Sequence, residues 1–136
     1  MKNFNTYEGY KDSGVEWVGK IPKNWNVTRL ANLGAFTSSG IDKKTNEGEH
    51  LVRMINYTDV YGNKSLILNN KREYMVVSCP ESKIKEHSVT KGDLIFTPSS
   101  ETIEDLGLSA LVDSELTNTV YSYHVLRFHF FKDMVH

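Results

Sequence analysis

Apolar side chains are sparse at the start of the chain and dense beyond its middle. Residues 1–20 are polar, with Tyr7, Tyr10, Val15, Trp17 and Val18 spread among them. Such a segment buries too little surface to fold alone, so it is expected as an extended leader pinned by Trp17. Residues 21–136 are expected to form one domain. Ile21-Pro22-Lys23-Asn24-Trp25 reads as a turn with apolar ends, because Pro22 fixes its own φ and keeps Ile21 extended. Asn26–Leu30 is expected as a short strand entering a helical turn, with Leu30 and Leu33 inward. Ala35-Phe36-Thr37 is a second extended piece, and 38–48 is a polar loop with glycine near both ends. In 50–57 the pairs Leu51-Val52 and Met54-Ile55 break simple alternation, which predicts a strand buried on both faces. Tyr61-Gly62-Asn63 reads as a turn, with Ser65–Leu68 a strand paired back across it.

Residues 72–77 fit neither period. Pro80–Glu86 reads as a helix, with Pro80 suited to a first turn. Val89–Asp93 turns into the strand Leu94-Ile95-Phe96. Leu108–Val112 is apolar, and Val120–Phe131 is rich in β formers. The predicted fold is α+β: a single mixed domain with a twisted, mostly antiparallel sheet and a few short helices. Phe130 and Phe131 point to opposite faces of a strand and so call for cover on both sides. No turn or cap follows them, so the domain is expected to be incomplete at its C-terminus.

Composition narrows the function classes. The 136 residues allow one core, with 39% hydrophobic and 24% charged residues. The net charge of −1 and pI near 6.5 give no global basic field, so any nucleic-acid site must be local. The single cysteine, Cys79, can form neither an internal disulfide nor a thiolate zinc cluster, which favours a reducing compartment. With no signal-peptide core and no run of roughly 18 apolar residues, a cytoplasmic protein is expected.

Catalytic constellations are hard to find. His124 and His129 are five apart and would face opposite sides of a strand, the wrong arrangement for a shared metal. Cys79 has no histidine in its segment and reads as a small buried group. Glycine-rich phosphate loops and the Asn-Pro-Pro-Tyr string of amino-methyltransferases are both absent. Glu81-Ser82-Lys83, with Asp59 upstream, has the residue types of a metal-dependent nuclease, but the string is short and falls on a helix expected to be solvated. No enzymatic activity, catalytic residue or metal site is assigned.

Three polar loops offer groups for binding. Loop one carries Ser38, Ser39, Asp42, Lys43, Lys44, Thr45 and Asn46. Loop two carries Asn56, Tyr57, Thr58, Asp59, Tyr61 and Asn63. Loop three carries Thr97, Ser99, Ser100, Glu101 and Thr102. Amides and hydroxyls suit base edges and phosphates, and lysine and arginine neutralise phosphate. The same residue types also populate ordinary turns for backbone reasons.

Two stretches carry a resemblance. Tyr10-Lys-Asp-Ser-Gly-Val-Glu-Trp17-Val-Gly-Lys-Ile-Pro22-Lys-Asn-Trp25-Asn-Val-Thr-Arg-Leu30 resembles the N-terminus of specificity subunits of type I restriction–modification systems. There, such a leader precedes the first target-recognition domain. Val89-Thr-Lys-Gly92-Asp93-Leu-Ile-Phe-Thr-Pro-Ser-Ser-Glu-Thr102, Asp105-Leu-Gly107 and Asn118-Thr-Val-Tyr121-Ser-Tyr123-His124 are similar to the later part of that domain in one subgroup.

The resemblance implies a non-catalytic DNA reader. Each of two recognition domains reads half of a bipartite duplex target. Partner modification subunits methylate adenine, and a restriction subunit cleaves. S-adenosylmethionine, ATP and magnesium belong to those partners, and no cofactor is expected here. The chain resembles the front portion of such a subunit, without the spacer helix and second domain.

Under this reading Trp17, Ile21, Pro22 and Trp25 clamp the leader, and Thr102-x-x-Asp105 with Gly107 forms a capped turn. Lys43, Lys44 and Arg72 are the expected phosphate contacts. Arg53, Asn56, Thr97, Ser99, Ser100 and Glu101 are expected near base edges, with Glu101 an acceptor for a cytosine amino group. Loop three is either base-reading or a scaffold element of the subgroup. The alternatives are a truncated, non-DNA-binding interaction fragment or inert remnant of such a subunit, with a homodimer as one form of the fragment, and a nuclease using Glu81 and Lys83.

Overall fold

Strand formation follows the β-branched and aromatic segments, and each polar interval becomes a turn or loop. A computed structural model describes residues 6–100 and 102–132. The chain divides into two compact units, Met1–Asn32 and Leu33–His136.

The first unit is built on a hairpin. Strand β1 (Tyr10–Asp12) pairs antiparallel with β2 (Lys20–Pro22), with Lys11 opposite Ile21. The leader is therefore folded back on itself. Ile21 and Pro22 are buried. Trp17, expected as a pin, is 89% exposed at the hairpin tip, and Trp25 is half exposed. Residues 25–29 form no strand, and only the 3-10 turn Leu30–Asn32 follows.

The second unit contains β3 (Gly34–Thr37), β4 (His50–Ile55), helix α1 (Tyr57–Val60), β5 (Ile67–Leu68), β6 (Met75–Cys79), helix α2 (Glu81–His87), β7 (Leu94–Phe96), β8 (Ser109–Val112), β9 (Thr119–Tyr121) and β10 (Leu126–Phe130). One sheet has the order β3-β10-β7-β8-β5 and the other β6-β4-β9. The pairings are antiparallel except β4 with β9 and β5 with β8. The fold is thus α+β with mostly antiparallel strands, as the pattern predicted.

Gly34 permits a close approach of β3 to β10. A Cβ there would lie 2.3 Å from the carbonyl oxygen of His129 on β10. The turn into β7 is fixed by Asp93, whose carboxylate accepts from the Thr90 N–H at 2.8 Å, while Gly92 takes a φ of 94°.

Two expectations fail for local reasons. The strand after residue 63 does not pair back on β4, because α1 intervenes. Asn63 instead donates to the carbonyls of Asp59 and Ile67 at 3.0 Å each, and β5 joins β8 in parallel. Strand β4 is covered on both faces only near its end. Met54 and Ile55 are fully buried, whereas Leu51 is 64% exposed.

Two apolar clusters fill the unit. One joins Ile55, Val60, Leu68, Ile95, Val112 and Tyr121, among others. The other joins Ile41, Val52, Met54, Val77, Cys79 and Val120, with Ile84 of α2 against it. Full burial of each such side chain contributes about 1.5–3 kcal/mol, before conformational entropy is subtracted. No helix among the described residues is long and apolar enough to cross a membrane.

Candidate nucleic-acid interface

Loop two begins where β4 ends, and its first job is structural. Asn56 is buried, and its backbone N–H donates to the Asp59 carboxylate at 2.8 Å. The other Asp59 oxygen accepts from Arg72 Nε at 3.1 Å. Arg72 is therefore committed to a partly buried ion pair rather than displayed for phosphate. The Asn56 amide leans on the Met75 sulfur, and its Oδ1 has no hydrogen-bond partner among the described residues.

Loops two and three meet at one bond. Tyr57 Oη donates to the Ser99 carbonyl oxygen at 3.2 Å. Because 57–60 is helical, Tyr61 comes round onto the Tyr57 ring, with centroids 5.4 Å apart and planes 25° from parallel. Tyr61 is 42% exposed. The junction thus presents an aromatic face beside the exposed Ser99 and half-buried Ser100. Both tyrosines stand among the polar groups of loop two in the sequence, but reading 50–57 as an unbroken strand hides their i, i+4 stack.

Loop three is held from within. Thr97 is fully buried and pairs with the Leu108 carbonyl through its N–H, so it offers nothing to a base edge. The Ser100 hydroxyl donates to the Thr102 carbonyl and accepts from its N–H, while Thr102 Oγ1 donates to Asp105 at 2.9 Å. Residues 104–107 form a turn, not a helix, closed by Gly107 at a φ of 75°. Glu101 lies outside the described residues.

Loop one is anchored elsewhere. Ser39 donates to the Tyr121 carbonyl, the Ile41 carbonyl accepts from Tyr123, and the Lys44 carbonyl accepts from Ser78. Asn46 N–H donates to the Ser78 hydroxyl, which donates to Glu49, both at 2.6 Å. Lys44 pairs with Asp42 at 3.2 Å. The Lys43 backbone bond and Lys44 together hold the Asp42 carboxyl below its ordinary range. Lys43 is exposed and has no carboxylate partner among the described residues.

Behind loop one, the Tyr121 hydroxyl is 2.7 Å from Thr37 Oγ1 and 3.1 Å from His87 Nδ1. Arg127 donates to the same Thr37 oxygen at 3.3 Å, and its guanidinium lies 5.3 Å from the Tyr121 ring centre. Burial raises the Tyr121 hydroxyl above its usual range and lowers His87 below its own. Arg53 is similarly occupied, donating to the Thr117 carbonyl at 2.8 Å beside the Tyr74 ring.

The predicted site residues therefore separate. Ser99 and Lys43 remain available for contact, whereas the half-buried Ser100 hydroxyl is engaged by Thr102. Lys44 is available in part, and Asn56, Arg53, Arg72 and Thr97 are engaged in bonds within the unit. The nuclease string is taken up differently: Glu81 pairs with Lys85 at 2.9 Å, and Lys83 donates to the Gly40 carbonyl. No cluster of three or more His, Cys, Asp or Glu stands together among the described residues. Cys79 is buried, which raises its thiol above the usual range. The chain matches no protein-family model, and no curated protein matches it.

Proposed function

We propose that this chain is a duplex-DNA target reader of the type I specificity-subunit kind. It reads one half of a bipartite target and directs adenine methylation and cleavage by partner subunits. Its leader and its 89–124 segment supply the resemblance. The observation that carries the reading is the Tyr57–Ser99 bond, which joins two polar loops beside exposed Tyr61 and Ser99. Fixed donors and acceptors are what base readout needs, since each good bidentate contact discriminates by about 1–3 kcal/mol.

With a net charge of −1, the phosphate contribution must come from a few local cations, Lys43 foremost. The experiment is selection of duplexes from a random pool, followed by anisotropy titration of the enriched and scrambled sequences. The reading expects an enriched motif that a Ser99→Ala/Ser100→Ala double variant blurs. Equal binding to all duplexes would remove it.

A further inference from the structure

We infer that His87 is a proton-operated latch on loop one: charging its ring reverses a buried hydrogen-bond chain through Tyr121 to Thr37 and loosens the start of the loop. The latch is independent of the proposed DNA reading.

Tyr121 holds the loop entrance at two points. Its carbonyl oxygen accepts from the Ser39 hydroxyl, and its own hydroxyl lies 2.7 Å from Thr37 Oγ1. The Ser39 oxygen also accepts from the Ile41 N–H at 3.1 Å, and the Ile41 carbonyl accepts from the Tyr123 N–H at 3.0 Å. Residues 37–41 are thus strapped to β9 and to the residues that follow it. Lys43 and Lys44 lie just beyond this strap in sequence. The far end of loop one is tied separately, to Ser78 of β6.

The available donors order the chain. Arg127 Nε can only donate, and Thr37 Oγ1 accepts from it at 3.3 Å. His87 Nε2 lies 3.6 Å from the Glu86 carboxylate, which favours the neutral tautomer with its proton on Nε2. Nδ1 is then an acceptor, and the Tyr121 hydroxyl, 3.1 Å away, donates to it. The Tyr121 oxygen in turn accepts from the Thr37 hydroxyl. Each proton between Arg127 and His87 in this run meets an acceptor, as a buried polar chain requires.

A second proton on His87 breaks that order. It goes to Nδ1, which becomes a donor facing the Tyr121 O–H. Tyr121 must turn its proton to Thr37, and the Thr37 hydroxyl loses its acceptor. The new charge also stands in a buried setting, where Arg127 of β10 and Lys83 of α2 oppose it and the exposed Glu86 favours it. Tyr121 of β9 and Thr37 of β3 offer no charge, and Asp93 before β7 acts on Tyr121. Parting the Tyr121–Thr37 bond relieves both the clash of donors and the crowding of cations, and it frees the loop entrance.

Ring-nitrogen NMR of the full chain first locates the titration of His87 and its neutral tautomer. Amide exchange, corrected for the intrinsic effect of pH, is then compared on either side of that titration. The latch predicts a proton on Nε2 in the neutral ring. It also predicts that protection at Ile41 and Tyr123 falls by a factor of about 2–12 as the ring charges, the equivalent of one neutral hydrogen bond. Met54 on β4 keeps its protection. His87→Gln removes the step. Tyr121→Phe deletes the hydroxyl and leaves Ile41 and Tyr123 less protected in both conditions, with no step between them. A neutral ring protonated on Nδ1, or unchanged protection at Ile41 and Tyr123 while His87 titrates, overturns the inference. A step of equal size in His87→Gln assigns it to His124, which acts on Asp42 in the same loop, and also overturns it. So does a fall at Met54 as large as that at Ile41, since that is acid unfolding of the whole unit. The tautomer and the wild-type comparison decide the matter even where a variant fails to fold.

Discussion

Tyr57 and Ser99 are 42 residues apart in sequence and joined by one hydrogen bond, from the tyrosine hydroxyl to the serine carbonyl oxygen. Tyr57→Phe keeps the ring and its stack on Tyr61 while deleting that bond. A net loss of about 0.5–1.5 kcal/mol is expected, because the bond is largely exposed. Hydrogen exchange at residues 99–100 rises, and the dissociation constant for the enriched duplex increases by a factor of roughly 2–12. Unchanged exchange there means the bond does not order loop three.

Arg72 separates a structural role from a phosphate contact. Its Nε–Asp59 bond neutralises a carboxylate that is itself 12% exposed. Arg72→Ala strands that charge, and destabilisation of about 1.5–3 kcal/mol is expected in denaturant unfolding. A phosphate contact instead predicts unchanged stability with a shallower salt dependence of DNA binding.

His87 sets an acid limit. Burial lowers its folded pKa below the ordinary value of 6.5, with neighbouring Arg127 and Lys83 adding to the effect and Glu86 opposing it. The unfolded chain therefore takes up this proton more readily than the folded one. The stabilising contribution is fully present above about pH 6.5 and is lost as pH falls through the lower folded value. Unfolding midpoints are expected to decline across that window, and His87→Gln should flatten the decline. An equal slope in the variant places the acid sensitivity elsewhere.

Gly34 lets β3 lie close against β10. A Cβ 2.3 Å from the His129 carbonyl forces β3 away from β10. Gly34→Ala is expected to cost about 1–3 kcal/mol, seen as a lowered thermal midpoint. A neutral result means β3 shifts freely.

What could be read from sequence was what depends on local period. The β4, β7 and β10 segments announce themselves by β-branched and aromatic content, Gly92-Asp93 marks the start of β7, and Pro80 marks the start of α2. What could not be read depends on partners distant in sequence. Nothing near Ser65–Leu68 says that β5 will join β8 rather than β4, since Asn63 decides it by bonding Asp59 and Ile67. Thr97 has the composition of a loop donor, yet its pairing with Leu108 buries it. Arg72 looks like any surface cation until Asp59 is placed beside it. Trp17 shows the reverse error, since an aromatic in a polar leader was expected to be covered. Its turn, closed by Gly14 and Gly19, instead holds it outward.

DNA affinity as a function of salt tests the central claim most directly. The full chain is titrated with its enriched duplex and a scrambled control at several salt concentrations. The account predicts tighter binding to the enriched sequence, with log affinity falling linearly as log salt rises, about −0.9 for each phosphate neutralised. It also predicts that Lys43→Ala makes the slope shallower by about one such contact. Binding that ignores both sequence and salt, or no duplex binding at all, contradicts it.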